Sequence, residues 1–319
     1  MINNLDINSK KILIIGHELH SHTHSYIFNA INRALIFLNY NVEWIYNIND
    51  INKIIDLNIH YDIIITELYY NKNIPIIQDC IYIFQEPFLE LFNNDSYITY
   101  DFMNSYFKDI PKKNIILWRP YINQYSNDFF KIYKKNDYSI IVMPWATDLL
   151  PNEIDENIKN LESFEIKDIS NFIGMPLQHN EDLKNALQKY NIKYAVYGGT
   201  FDKNSEKNKS IEDNMKLIQE SIIAPALQSD WQIEKKYIPC RIFKNISYGK
   251  MGITNSETVY KLFNKKIIYS TNIEELVEKS LEFNRRNDRF SIIKELMIEV
   301  RDNHTYVNRI NFIFNLILD

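Results

Sequence analysis

Glycine is scarce in this sequence. Six occur in 319 residues, where average usage of ~7% would give about twenty-two. Cysteine is scarcer still, with only Cys80 and Cys240, far apart in the chain. That excludes a disulfide-built scaffold and fits a reduced, cytoplasmic protein. No apolar run approaches the ~20 residues needed to span a bilayer. The stretch Ile310–Leu318 is interrupted by Asn311 and Asn315 and reads as a docked helix. The polar start, Met1 to Lys11, lacks the apolar core of a signal peptide. A net charge of -5 gives no global basic field, so neither a nucleic acid nor a membrane is an expected partner. What remains is an ordinary globular composition, 45% hydrophobic and 24% charged, with length for two domains.

The glycines that are kept mark positions where a side chain is excluded. Gly16 ends the strand Lys11–Ile15, Gly174 ends Ser170–Ile173, and Gly198-Gly199 end Lys193–Tyr197. Four of the six therefore lie at carboxyl ends of predicted strands, where open parallel sheets bind ligands. Gly249 and Gly252 bracket the turn from a helix, Ile242–Tyr248, into the strand Met251–Thr254.

Strands and helices alternate along the chain, which argues for parallel sheets. In the first half the strands are Lys11–Ile15, Val42–Tyr46, Tyr61–Glu67, Ile81–Phe84, Asn114–Trp118 and Ser139–Met143, with helices over Ser25–Leu38 and Ile51–Leu57. The charged segment Pro151–Lys167 is expected to lead out of the first domain. A second series follows, with helices Glu181–Tyr190 and Ile211–Leu227 and a strand at Gln232–Lys235. It continues to a strand at Lys266–Ser270 and three closing helices. The expected fold is α/β: two Rossmann-like domains, residues 1–160 and 161–319, facing a central cleft, with the last helix able to pack back on the first.

Four of the seven histidines fall in the loop after the first strand: His17, His20, His22 and His24. Histidine titrates near neutrality, so His17, His22 or His24 could take a proton from a hydroxyl or bind a phosphate or sugar. Glu67 and Glu86, at other strand ends, are acidic candidates for a base. The string LHSHTHS also resembles the histidine motif of PHP-type metal-dependent hydrolases, which follows the first strand of a barrel. That resemblance implies a metal held by His20, His22 and His24. It lacks a second H-x-H to complete it.

The run Tyr237–Gly249, YIPCRIFKNISYG, resembles the IPSRVFEALACG signature of CgeB-like glycosyltransferases, enzymes of the two-Rossmann (GT-B) architecture. Val196–Phe201, VYGGTF, is similar to that family's VYGxGW turn. His304-Thr305-Tyr306 with Arg309 is similar to its HTYxxR element, and Pro144–Asp148 to its PxGxD turn. The chain departs from the pattern where the family places a ribose-holding Glu. Lys244 stands there, and Lys236 replaces the acid eight residues earlier.

The resemblance implies transfer of a sugar, hexosyl in type, from a UDP- or GDP-linked donor to a glycan, protein or small-molecule acceptor. A leaving diphosphate needs opposing charge. The sequence has no D-x-D pair to hold a metal, so no metal or other cofactor is expected. A helix opening at Pro239 and Cys240, with Arg241 and Lys244 on one face, would supply that charge instead. Gly16, Gly198, Gly199, Thr200 and Phe201 complete the expected donor site. Because Lys244 and Lys236 replace acids, a nucleotide-sugar binder without catalysis is the remaining alternative.

Overall fold

The computed structural model describes residues 10–67, 74–85, 100–122, 126, 128–176, 178–199 and 205–318. The chain forms two compact units, Met1–Pro144 with Ile310–Asp319, and Trp145–Arg309. Pro151–Asn160, the first part of the segment Pro151–Lys167 expected to lead out of the first domain, is a helix and lies in the second unit.

In the first unit the order is β1 (Lys11–Ile15), α1 (Ser25–Phe37), β2 (Asn41–Ile45), α2 (Ile48–Asp56), β3 (Ile63–Glu67) and β4 (Ile81–Gln85). Then come α3 (Tyr100–Tyr106), β5 (Ile115–Arg119), β6 (Lys131–Lys135) and β7 (Tyr138–Val142). The seven strands form one sheet in the order β2-β1-β3-β4-β5-β7-β6, parallel except for β6. The apolar runs IIITE and IILWR are buried along their whole length, as strands covered on both faces must be. Leu13, Ile64, Tyr82, Phe84, Leu117 and Ile140 belong to one core cluster. The strand order reverses at β1, which has β2 on one side and β3 on the other. The crevice between the ends of β1 and β3 is therefore the switch point of the sheet, where ligands of such folds bind.

The second unit runs α4 (Pro151–Asn160), β8 (Ile169–Ile173), α5 (Asn180–Gln188), β9 (Lys193–Tyr197), α6 (Ile211–Glu220), α7 (Asp230–Glu234) and α8 (Arg241–Ser247). It continues with β10 (Ile253–Thr254), α9 (Glu257–Leu262), β11 (Ile268–Tyr269), α10 (Ile273–Asn284) and α11 (Arg289–Asn303). Helix α12 (Tyr306–Leu318) starts in this unit and ends in the first. Strands pair in parallel as β8-β9 and β10-β11. An extended stretch after α6 bridges the pairs: the amide of Ile222 donates to Ile169 and that of Ala226 to the carbonyl of Ile253.

Two sequence expectations fail here. The helix over Ile211–Leu227 stops at Glu220, because Pro225 cannot donate and disfavours helix in the residue before it. The strand over Gln232–Lys235 is instead helix α7, whose Ser229 and Gln232 form a reciprocal capping box. Strand β6 and helix α3 were not anticipated.

Candidate functional site

In the first unit the switch point gathers histidines around one carboxylate. Gly16 ends β1, and a Cβ there would lie 2.4 Å from the Phe28 ring. The missing side chain thus lets α1 close over the strand end. The loop between them turns back through Ser21 N–H to Glu18 O and Ser25 N–H to His22 O. His17 Nε2 meets Glu67 Oε1, and His24 Nδ1 meets Glu67 Oε2. The His22 ring lies 4.0 Å from that of His17 and 5.0 Å from that of His24, centroid to centroid. Ligand atoms of His17, His22 and Glu67 all fall within 4.8 Å of one another.

Glu67 is 1% exposed. Burial alone would raise its carboxyl, but hydrogen bonds from His17 and His24 outweigh that and hold it at about 2. Burial, then the charges of His17 and His24, push His22 down to about 4 against the pull of Glu67. An ionised carboxylate thus sits beside an imidazole that is neutral at neutral pH.

His20 belongs elsewhere: its Nδ1 meets Tyr26 Oη at 3.0 Å, and its amide donates to Ser25 Oγ. The trio His20, His22 and His24 is therefore not what converges. Nor do the described strands close into the barrel implied by the PHP resemblance: their sheet is open, with β2 and β6 at its edges. Glu86 lies outside the described residues.

In the second unit Arg241 opens α8, and its N-cap residue Cys240 caps no amide with its side chain. The guanidinium lies 4.0 Å over the Phe172 ring. Its Nε donates to Ile173 O and its Nη1 to Leu227 O, both at 3.1 Å. A Cβ on Gly174 would stand 2.7 Å from Nη2, and Gly174 has φ +126°. Gly198 and Gly199, at φ +73° and +71°, fold against the Gly174 turn. Burial lowers Arg241 to about 10, so it stays charged. Among the described residues no carboxylate pairs with it. A fixed, desolvated cation without a counter-ion among these residues, at the ends of β8 and β9, has the chemistry to receive an anion.

Lys244 does not share that situation. Its ammonium is 2.8 Å from Asp148, which also accepts from Tyr248 Oη at 2.8 Å. The lysine that replaces the family's Glu is thus tied to the PWATD turn. Pro239 lies half-buried just before the cap, while Thr200 and Phe201 lie outside the described residues. The HTYxxR residues form a buried lock. Arg309 Nη1 donates to Asn303 O, Nη2 to Trp145 O and His304 Nδ1, and His304 O accepts from Thr147. Sequence reasoning missed the pairing of Gly174 with Arg241 and the ring of Phe172 beneath it.

Residues 180–315 match the profile of a family described as Glycosyl transferase-like. Comparison with curated proteins finds no match. Among solved structures, the chain is similar to an alpha-glucosyltransferase in complex with UDP, 9% identical over 98% of this chain and 100% of that one, with a TM-score of 0.58. It is also similar to an alpha-glucosyltransferase in complex with UDP and a 13-mer DNA containing a central A:G mismatch, at 9% identity, the same coverage and a TM-score of 0.63. The fold is accordingly that of the GT-B glycosyltransferases, an α/β architecture with a parallel-sheet core, as the alternation of strands and helices led us to expect. The matched stretch contains Arg241 and the HTYxxR residues.

Proposed function

We propose that the protein is a glycosyltransferase of the CgeB-like kind, taking a hexose from a UDP- or GDP-linked donor bound by the second unit. The carrying observation is Arg241, pinned by two main-chain carbonyls and an aromatic face, with no carboxylate opposing it among the described residues. The family match over residues 180–315 and the UDP bound by the structural neighbours support the same reading. Arg241 and the uncapped opening of α8 oppose the diphosphate, so departure of the nucleotide needs no cation. Gly198 and Gly199 shape the turn beside them. His17, His22 and His24 in the first unit belong to the acceptor side. The protein works in the cytoplasm on a glycan, protein or small-molecule acceptor. Because one neighbour carries DNA, a DNA duplex belongs in the acceptor panel despite the net charge of -5.

Calorimetry and thermal shift with UDP, GDP, TDP and CMP test the donor site. Binding by UDP or GDP, unchanged in EDTA and weakened about 10- to 100-fold by Arg241→Ala, is the expected result. No binding by any nucleotide, or equal binding by the variant, would overturn it. Binding without donor hydrolysis or transfer to any acceptor would leave the non-catalytic binder.

A further inference from the structure

We propose that the first unit binds one divalent transition-metal ion of the zinc class through His17, His22 and Glu67. This goes beyond the donor reading and does not rest on it. Glu67 ends β3, the strand between β1 and β4, and stands in register with Gln85 of β4. Its carboxylate is 1% exposed. Among the described residues it pairs with no lysine or arginine; the imidazoles of His17 and His24 meet its two oxygens, and that of His22 lies beside them. A dication placed among these groups would oppose the charge of the buried carboxylate.

The donor set and spacing fit. Two imidazoles and one carboxylate suit zinc and its neighbours, whereas calcium and magnesium prefer oxygen throughout. Ligands ~2.0–2.2 Å from a tetrahedral centre stand about 3.3 Å apart. The three donors here lie within 4.8 Å of one another, so small side-chain rotations bring them to one centre. His24 engages the other carboxylate oxygen, Oε2, the kind of outer partner that orients a ligating group. Three protein ligands leave a fourth position for water or an oxygen of a bound molecule. Of the His20, His22 and His24 trio in the hydrolase-like alternative the site keeps only His22, joined by His17 and Glu67, and it runs against the expectation that no metal is bound.

The full chain, purified without a histidine tag or chelator, is titrated with Zn2+ in a calorimeter and analysed by mass spectrometry for bound metal. One equivalent per chain is expected. Co2+ should give the intense visible bands of a low-coordinate site. Glu67→Gln and His22→Asn should each weaken zinc at least 100-fold, His24→Asn about 10-fold, and His20→Asn not at all. Circular dichroism melts check folding, and His22, in a loop, is the substitution least able to unfold the sheet. Absence of stoichiometric zinc in the wild type, or equal zinc binding by His22→Asn and Glu67→Gln, would overturn the site. UDP binding on the same samples reads the donor proposal separately, since both substitutions lie in the first unit and Arg241 in the second.

Discussion

Gly174 and Arg241 act as a pair although 67 positions separate them. The glycine is required twice, by φ +126° and by the guanidinium nitrogen 2.7 Å from where a Cβ would stand. Gly174→Ala should therefore destabilise the protein by about 2 kcal/mol, read in chemical denaturation. It should also displace the guanidinium and weaken nucleotide binding. Sequence alone pointed to Arg241 through the signature around it and to Gly174 through the scarcity of glycine, but not to their contact. Long-range pairing leaves no local pattern. The same reason hid the commitment of Lys244 to Asp148, 96 positions away.

Lys250 is a second case at this scale. It is 6% exposed, lines a cavity of about 210 Å³ with Leu161, Phe164 and Ile293, and has no carboxylate partner among the described residues. Burial lowers its ammonium from 10.5 to about 7. Above about pH 7 the folded lysine is neutral while the unfolded one still binds a proton, up to about pH 10.5. Its penalty is thus full below pH 7 and is relieved as pH rises through that window. Lys250→Met should stabilise the protein by about 3 kcal/mol near pH 6, with the gain shrinking toward pH 10. A gain independent of pH would mean that the lysine is well solvated.

At the scale of elements, apolar periodicity was legible wherever burial dictated it. The buried strands β1, β3, β4, β5 and β7 were expected within one or two residues of their observed ends. Strand β6, KIYKK, was not, because an edge strand facing solvent carries charge instead of an apolar run. Its hairpin to β7 turns through Asn136 and Asp137, both at positive φ, 51° and 70°. That is the backbone of a tight two-residue turn in which glycine follows asparagine most comfortably. Asp137 forms an exposed ion pair with Lys112, at 3.6 Å, which contributes little. Asp137→Gly should therefore raise stability by up to ~1 kcal/mol, seen as a higher denaturation midpoint at unchanged slope. The misread α7 differs in kind. Its capping box at Ser229 and Gln232 is a local signal present in the sequence, overlooked beside the β-compatible Trp231 and Ile233.

At the scale of the whole chain, the last ten residues belong to the first unit although 165 residues of the second precede them. The apolar run of α12 marked this segment as docked; that it could pack back on the first domain was an expectation of the two-domain architecture, since periodicity gives a buried face and no address. Phe314, 2% exposed, packs edge-on against Tyr40 at 5.2 Å, just past the end of α1. Phe314→Ala removes that ring from a close-packed site, a loss of about 3 kcal/mol. If the units open separately, the loss belongs to the first alone. Hydrogen exchange should then quicken in α1 and β2 while β8 and β9 keep their protection. Zinc affinity should fall in proportion to the population of opened first unit, and UDP affinity should not change. Equal loss of protection in β8 and β9 would instead show one cooperative molecule, and mutations at either site would then have to be judged against the stability of the whole.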